Sequence, residues 1–488
     1  MSDNRRWWGL GVLLLPVLLV SMDSSVLFLA MPMVTDGLDP SPTQTLWILD
    51  SYSFVIAGLL ITMGSLGDRV GRRRLLLMGA TVFGIGSVVA AFSVSPTVLI
   101  VARALMGLGG ATLLPSSLSL ITTMFPDLRE RSRAIGVWTA AFSGGTAIGP
   151  LVGGVLLHQY WWGSVFLINV PVLAALLLAG PLVLPEFANP SDAAFDLRGV
   201  ALSISGILAS VYAIKHLALN GVDAPSIVIG VVGLAIIALF ARHCTRAPNP
   251  LVDPSLMRNR QFTVAIATSL TSMMALSATA YLGNTYLQSV TGREPLSAAL
   301  MGIPMAITVC AFSLGSARIV RLIGARRAFI GSLLTCVVGL VVMLRIGVDG
   351  GPWAYLIGSA IAGIGYGLSF SLVSDVAVGS VPTERAGAAT GVSETSFELG
   401  QALGLALLGS LAAVVFSRVM TTDGAAFRGT LGDAVTAAGG DAALIETAKS
   451  AYVTGVHAAL GTAAVILAVM AVVATVVLPQ KSNAASAE

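Results

Sequence analysis

Fourteen stretches of the chain are apolar over about 20 residues, the length a helix needs to cross the hydrocarbon core of a bilayer. They cover residues 8–32, 44–66, 74–95, 97–123, 134–157, 163–184, 197–217, 225–242, 262–288, 297–320, 328–347, 353–378, 386–416 and 454–478. The pattern predicts an all-α membrane protein with fourteen transmembrane helices. Basic residues alternate between the two sides. Segments on the side of the N-terminus, such as Arg72–Arg74, Arg129–Arg133 and Arg326–Arg327, carry most of them, and the opposite side holds Lys215, Arg293, Arg345, Arg418, Arg428 and Lys449. The bias is about threefold, and basic loops stay inside. An even span count then places both termini in the cytoplasm, in a multi-pass chain of a bacterial inner membrane. The polar stretch 417–453 becomes a long external segment. Within it LGDAVTAA and DAALIETAKSAY have helical periodicity. An ordered cap and a flexible loop suit it equally.

Composition agrees with the pattern. The 488 residues are 56% hydrophobic and 10% charged, where a soluble domain carries about 25% charged residues. Arginines occur in short clusters between apolar spans, which argues against a nucleic-acid partner. Cys244, Cys310 and Cys336 are scattered, without metal or disulfide spacing. The first apolar run is too long for a cleavable signal and lacks a small-residue cleavage site. The four histidines fall near predicted span ends, so a histidine relay is not expected.

The chain repeats itself. ALMGLG at 104–109 recurs as AIAGIG at 360–365, an offset of 256 that Pro126 and Pro382 keep. Gly136, Gly145, Gly149 and Gly154 recur as Gly391, Gly400, Gly404 and Gly409. Arg72–Arg73 recur as Arg326–Arg327. Two six-helix halves follow, residues 1–190 and 261–488, with an inserted helix pair and linker at 191–260. Small residues at helical spacing serve close packing. Repeated halves that enclose a midplane site are also a transporter design.

Charge inside the spans is the candidate chemistry. Glu394 and Glu398 lie four apart in GAATGVSETSFELGQALGLALLG, on one helical face. A carboxylate at membrane depth costs several kcal/mol unless it is paired, hydrated or protonated. Two on one face raise each other's proton affinity. Such a face can hold a proton, or a cation in its place; acids that merely solvate a cavity are the other reading. Asp23 lies inside the first span. Asp50 shares a face with Trp47 and Phe54 near the outer end of the second, where a charge is cheap. An acid beside aromatic rings suits a lipophilic cation through charge pairing and cation–π contact. Phe397 beside Glu398, with Tyr366 and Phe370 in the twelfth span, offers the same chemistry, or simply core packing. Arg103 is buried in the fourth span and needs an acid or carbonyl partner. It is a proton-coupling group or a structural tether. Asp375 has no assigned role.

Three motifs carry a resemblance. The loop GSLGDRVGRRR resembles the cytoplasmic-loop signature of the major facilitator superfamily at Gly64, Leu66, Asp68, Gly71, Arg72 and Arg73. The resemblance implies a conformational latch between the halves; the second copy keeps the arginines and loses the Asp. The stretch around Arg103 is similar to the superfamily's arginine motif, implicated in proton coupling. SGGTAIGPLVGG, with Gly145, Gly149, Pro150, Gly153 and Gly154, matches the antiporter motif of exporters. Together with LWILDSY, WGSVFLINVP and SETSFELG, these place the chain, by resemblance, among the fourteen-helix drug:proton antiporters, near the Qac- and Smv-type exporters of quaternary ammonium compounds.

The resemblance implies a major facilitator fold and a proton-coupled multidrug antiporter of lipophilic cations, with Asp23, Asp50, Glu394, Glu398 and Arg103 as its proton and cation sites. It implies a monomer with no cofactor beyond the proton gradient, no metal and no enzymatic activity. Ser393 and Val309 stand where some members carry further acids; the acid at the place of Val309 is associated with divalent cations, so its absence here argues against strong transport of dications. An exporter of one endogenous metabolite, antibiotic or lipid on the same fold is the alternative.

Overall fold

The computed structural model describes residues 3–186, 196–220, 223–247, 250, 254–349, 351–379, 386–422 and 430–478. The regular structure among them is helical: α1 (Asp3–Leu38), α2 (Pro42–Val70), α3 (Arg72–Ala91), α4 (Pro96–Met124), α5 (Leu128–Gln159), α6 (Ser164–Leu167), α7 (Asn169–Val183), α8 (Leu197–Asn220), α9 (Ala224–Cys244), α10 (Pro254–Met257), α11 (Arg260–Thr285), α12 (Pro295–Ile323), α13 (Ala325–Met343), α14 (Trp353–Gly379), α15 (Ala386–Leu403), α16 (Ser410–Thr422), α17 (Leu431–Ala437) and α18 (Ala442–Val477). Wider π-helical turns follow α11 at Tyr286–Val290 and α15 at Gly404–Gly409.

Polar residues at the boundaries fix where these helices begin. Ser41 and Gln44 exchange hydrogen bonds with each other's main-chain N–H ahead of α2, and Pro42 pre-sets the first turn. Ser95, Asp223, Asn259 and Asp441 cap α4, α9, α11 and α18. Gly71 and Gly324 turn the chain at φ 107° and 86°, which a side chain resists, so each sharp corner ahead of a repeated arginine pair needs glycine.

Twelve helices among the described residues are long and apolar enough to cross a membrane. The expected spans 44–66 and 134–157 are helical too, within α2 and α5, but are not among those twelve. The external segment differs from expectation. DAALIETAKSAY is no separate cap: it is the first part of α18, which runs unbroken for 36 residues behind its Asp441 cap. LGDAVTAA does form the short helix α17, while 423–429 lie outside the described residues.

The chain divides into two units. The first comprises Met1–Val252, Leu287–Leu300 and Arg428–Asp433. In it α1 lies along α5, α2 and α3 along α4, and α7 along α1 and α3. The pair expected as an insert, α8 and α9, pack on each other and α8 on α2. Asp196 caps α8 through the Gly199 N–H, and its Oδ1 lies 2.6 Å from His243 Nε2 at the end of α9, tying the pair together. The second unit comprises Asp253–Tyr286, Met301–Phe427 and Ala434–Glu488. There α11 lies along α15 and α14, and α13 along α14 and α18.

The repeat in the sequence is matched by a repeat of contacts. Gly145 and Gly149 of α5 rest on Leu18 and Met22 of α1, with the Ser25 hydroxyl against Gly149. Gly400 and Gly404 rest on Leu270 and Met274 of α11, with the Ser277 hydroxyl against Gly404. Gly107 of α4 meets the Tyr52 carbonyl, as Gly363 of α14 meets the Met305 carbonyl. Gly109 meets main-chain atoms of Gly79 and Phe83, as Gly365 meets those of Ser332 and Cys336. Arg73 donates to the Pro181 and Leu184 carbonyls that end α7, and Arg326 to the Thr475 carbonyl near the end of α18. Dispersion rather than hydrophobic drive holds helices together in lipid, so backbones must approach closely. One feature is not repeated: α5 runs unbroken where its counterpart carries the π-helical turn at Gly404–Gly409.

This packing makes a direct prediction. A Cβ at Gly109 would lie 2.6 Å from both the Gly79 carbonyl oxygen and the Phe83 nitrogen, neither of which can swing away. Gly109→Ala should lower the thermal unfolding midpoint of detergent-purified protein, at an overpacking cost of about 1–3 kcal/mol. Gly144→Ala, with nothing within 4 Å of its new carbon, should leave the midpoint unchanged.

Candidate functional site

Each unit holds a buried charged site among its described residues. In the first, Arg103 of α4 is 0% exposed. Its Nη1 is ion-paired with Asp23 Oδ2 of α1, and its Nε donates to the Ile48 carbonyl of α2 at 3.2 Å. The guanidinium carbon lies 4.4 Å from the centre of the Tyr52 ring. Three helices thus meet on one cation. Arginine stays charged in any protein environment, so the pairing answers the cost of burying it. The glycines of α5 contribute indirectly: they grip α1 at Leu18, Met22 and Val26, on either side of Asp23. Asp23 and Arg103, eighty residues apart, were both foreseen as functional; that they neutralise each other was not. Tyr52, two residues from Asp50, was missed.

Asp50 is fully buried within the protein. Trp47 and Phe54 on the same helix have their ring centres 6.2 Å apart, and Phe54 is buried.

The second site lies on α15 where it meets α14 and α11. Glu398 is buried and Glu394 half-buried, with buried Phe397 between them in the chain. Phe397 meets Phe370 of α14 edge-on at 5.4 Å, and Phe370 stacks on Tyr366 at 6.4 Å. These three rings, foreseen from the sequence, therefore form one continuous ladder that begins at Phe397, the chain neighbour of Glu398. Asp375 is exposed, farther along α14.

The loop motif is ordered within the first unit. Arg73 reaches Glu186 as well as the end of α7: its main-chain N–H donates to Glu186 Oε1 at 3.2 Å and its Nε lies 3.4 Å from Oε2. Arg74 approaches the same carboxylate at 3.8 Å, and buried Arg72 folds over Gly67. The surroundings of Gly64 and Asp68 lie outside the described residues. Glu186, the acid that gathers Arg73 and Arg74, was not singled out from the sequence, because nothing local marks it. Of the antiporter-motif glycines, Gly153 rests on Val26 and Gly154 on Leu296 and Ala299, with Pro150 inside the unbroken helix.

A chain of membrane-crossing helices, built twice over and carrying ionisable groups at depth, is a multi-pass membrane protein of carrier architecture. The sequence matches the Major Facilitator Superfamily over residues 13–405, and the chain belongs to that family. It is 36% identical over 485 residues to the multidrug efflux pump LfrA of Mycolicibacterium smegmatis, covering 97% of this chain and 96% of the relative. It is 31% identical to the methyl viologen resistance protein SmvA of Salmonella typhimurium over 418 residues, 85% of this chain and 84% of the relative. Among solved structures, a bacterial homologue of the human lysosomal transporter Spinster, inward-facing and unoccupied, superposes with a TM-score of 0.67 over 98% of both chains at 17% identity, a likeness of fold.

The ion pair can be tested by subtraction. Arg103→Met leaves Asp23 buried beside an apolar side chain and should cost about 3–5 kcal/mol of stability. Adding Asp23→Asn to it should recover most of that loss. Thermal unfolding of the two single variants and the double variant in detergent measures the coupling.

Proposed function

We propose that this protein is a proton-coupled multidrug exporter of lipophilic cations in a bacterial inner membrane. In this reading it has fourteen transmembrane helices, both termini in the cytoplasm, and works as a monomer. The observation that carries the reading is the second site: Glu394 and Glu398 on one stretch of α15, beside the ladder Phe397, Phe370 and Tyr366. A carboxylate attracts a cation, and ring faces add about 0.5–2 kcal/mol each as water is excluded. The carboxylates can be neutralised by a proton or by the drug, and each excludes the other. Exchange then follows from differential affinity, with the proton gradient as its source. Each charge moved is worth about 2.3 kcal/mol per 100 mV.

The first site plays a different part. Asp23 already has a cation in Arg103, so a drug or a proton at Asp23 must compete with that ion pair. This makes the pair a coupling element, sensitive to charge arriving nearby, rather than the resting drug site. The relatives support the cargo: one is a multidrug efflux pump and another confers methyl viologen resistance.

The test is transport by purified protein in proteoliposomes with an imposed pH gradient. Glu394→Gln and Glu398→Gln should each cut gradient-driven ethidium efflux by at least about a hundredfold. Parental rates in both would refute the site. A panel in which only one compound moves would favour a dedicated exporter of a single metabolite.

A further inference from the structure

Buried hydroxyls crowd the seam where α11, α14 and α15 meet. Ser269 and Ser272 of α11 and Ser369 of α14 are each 0% exposed, and Ser396 of α15 is also buried. Ser396 Oγ lies 2.9 Å from Ser269 Oγ, binding α15 to α11, and 2.6 Å from the Ser393 carbonyl oxygen of its own helix. Ser272 Oγ lies 3.3 Å from Ser369 Oγ, binding α11 to α14. Two more buried hydroxyls, Thr268 Oγ1 and Ser393 Oγ, have no hydrogen-bond partner among the described residues. An unsatisfied hydroxyl in a dry interior costs about 1–3 kcal/mol, so this much polarity calls for a reason.

Packing is not that reason, because the molecule contains its own control. The glycine contacts align α1 with α11, α4 with α14 and α5 with α15. At the places of Ser269, Ser272, Ser369 and Ser396 the first unit has Val17, Val20, Leu113 and Ala141. The same helix approaches are made there with apolar side chains, three of them fully or nearly fully buried. Conversely, the places of Asp23 and Arg103 are taken in the second unit by Ala275 and Ser359. The first unit's own buried hydroxyls, Ser21 of α1 and Thr112, Ser116 and Ser117 of α4, fall at other places, where the second unit has Met273, Leu368, Leu372 and Val373.

We propose that Ser396, Ser269, Ser272 and Ser369 form a proton path serving Glu398, two residues beyond Ser396; this rests on the reading of Glu398 as a proton carrier. A hydroxyl both donates and accepts. Each oxygen takes a proton from one neighbour as it gives its own to the next, so one proton moves along the row and no heavy-atom bond changes. Ser269 and Ser272 lie one turn apart, about 5–6 Å between Cβ atoms, a gap that one bridging water closes. The other charged or titratable groups on these helices are Glu394 on α15, Arg260 and Tyr281 on α11, and Tyr355, Tyr366 and Asp375 on α14. None of them belongs to the row.

The experiment uses full-length protein in proteoliposomes. The double substitution Ser269→Ala, Ser272→Ala should slow pH-gradient-driven ethidium efflux about tenfold or more. Dye affinity at fixed pH and the thermal midpoint should stay at parental values. Ser269→Thr, which keeps a hydroxyl, should transport as the parent does. A double variant that transports at the parental rate while Glu398→Gln is inactive overturns the path and leaves the acid site standing. A double variant whose loss is matched by lost stability or lost dye affinity shows a packing or binding role and also overturns it. If Glu398→Gln itself transports normally, the carrier reading falls and the path with it.

Discussion

A charge held inside a bilayer has to be neutralised by something, and the two units solve this in opposite ways. In the first, the counter-charge is internal. Arg103 sits within a cage of Asp23, the Ile48 carbonyl and the Tyr52 ring, each from a helix gripped by glycine contacts. In the second, Glu394 and Glu398 share α15 with Phe397 of the aromatic ladder and Ser396 of the hydroxyl seam, and the place aligned with Arg103 holds a serine. In the function proposed above, a visiting proton or cation takes the part that Arg103 plays for Asp23.

The duplication makes the division readable. Glycines that let backbones touch occur in both halves at equivalent places, and so do the arginines that cap the last turns of α7 and α18. These features belong to the scaffold, and lipid demands them of any tightly packed helical bundle. The Asp23–Arg103 pair occurs in the first half only, and the acids Glu394 and Glu398 in the second only. Chemistry has been placed on a symmetric frame without following its symmetry, and comparing one half with the other separates the residues that hold the shape from those that use it.

Much of this was legible in the sequence. Span positions follow from run length, and the repeat from glycines at fixed spacing, because both express local physics. The acids stood out because a carboxylate in oil is costly wherever its neighbours lie. Partnership did not show. Asp23 and Arg103 could each be flagged, yet periodicity assigns a face and not the residue opposite it. Glu186 looked like any loop acid, though it gathers Arg73 and Arg74. The serines of α11 were passed over because serine is also merely small, and small residues are expected at helix contacts. The start of α18 was misjudged because its first turns are polar, so a hydropathy window begins the helix too late.

The π-helical turn at Gly404–Gly409 has a mechanical consequence. Such a widening accommodates one residue more than α-helical spacing does, which rotates the helix on its N-terminal side by about 100° relative to the helix on its C-terminal side. The carboxylates of α15 lie before this offset and α16 after it. The azimuth of the acids is thereby uncoupled from the anchorage of α16 against α18. The half that holds Glu394 and Glu398 has a swivel in its backbone, and the half that holds Asp23 and Arg103 has a plain rod in the equivalent helix.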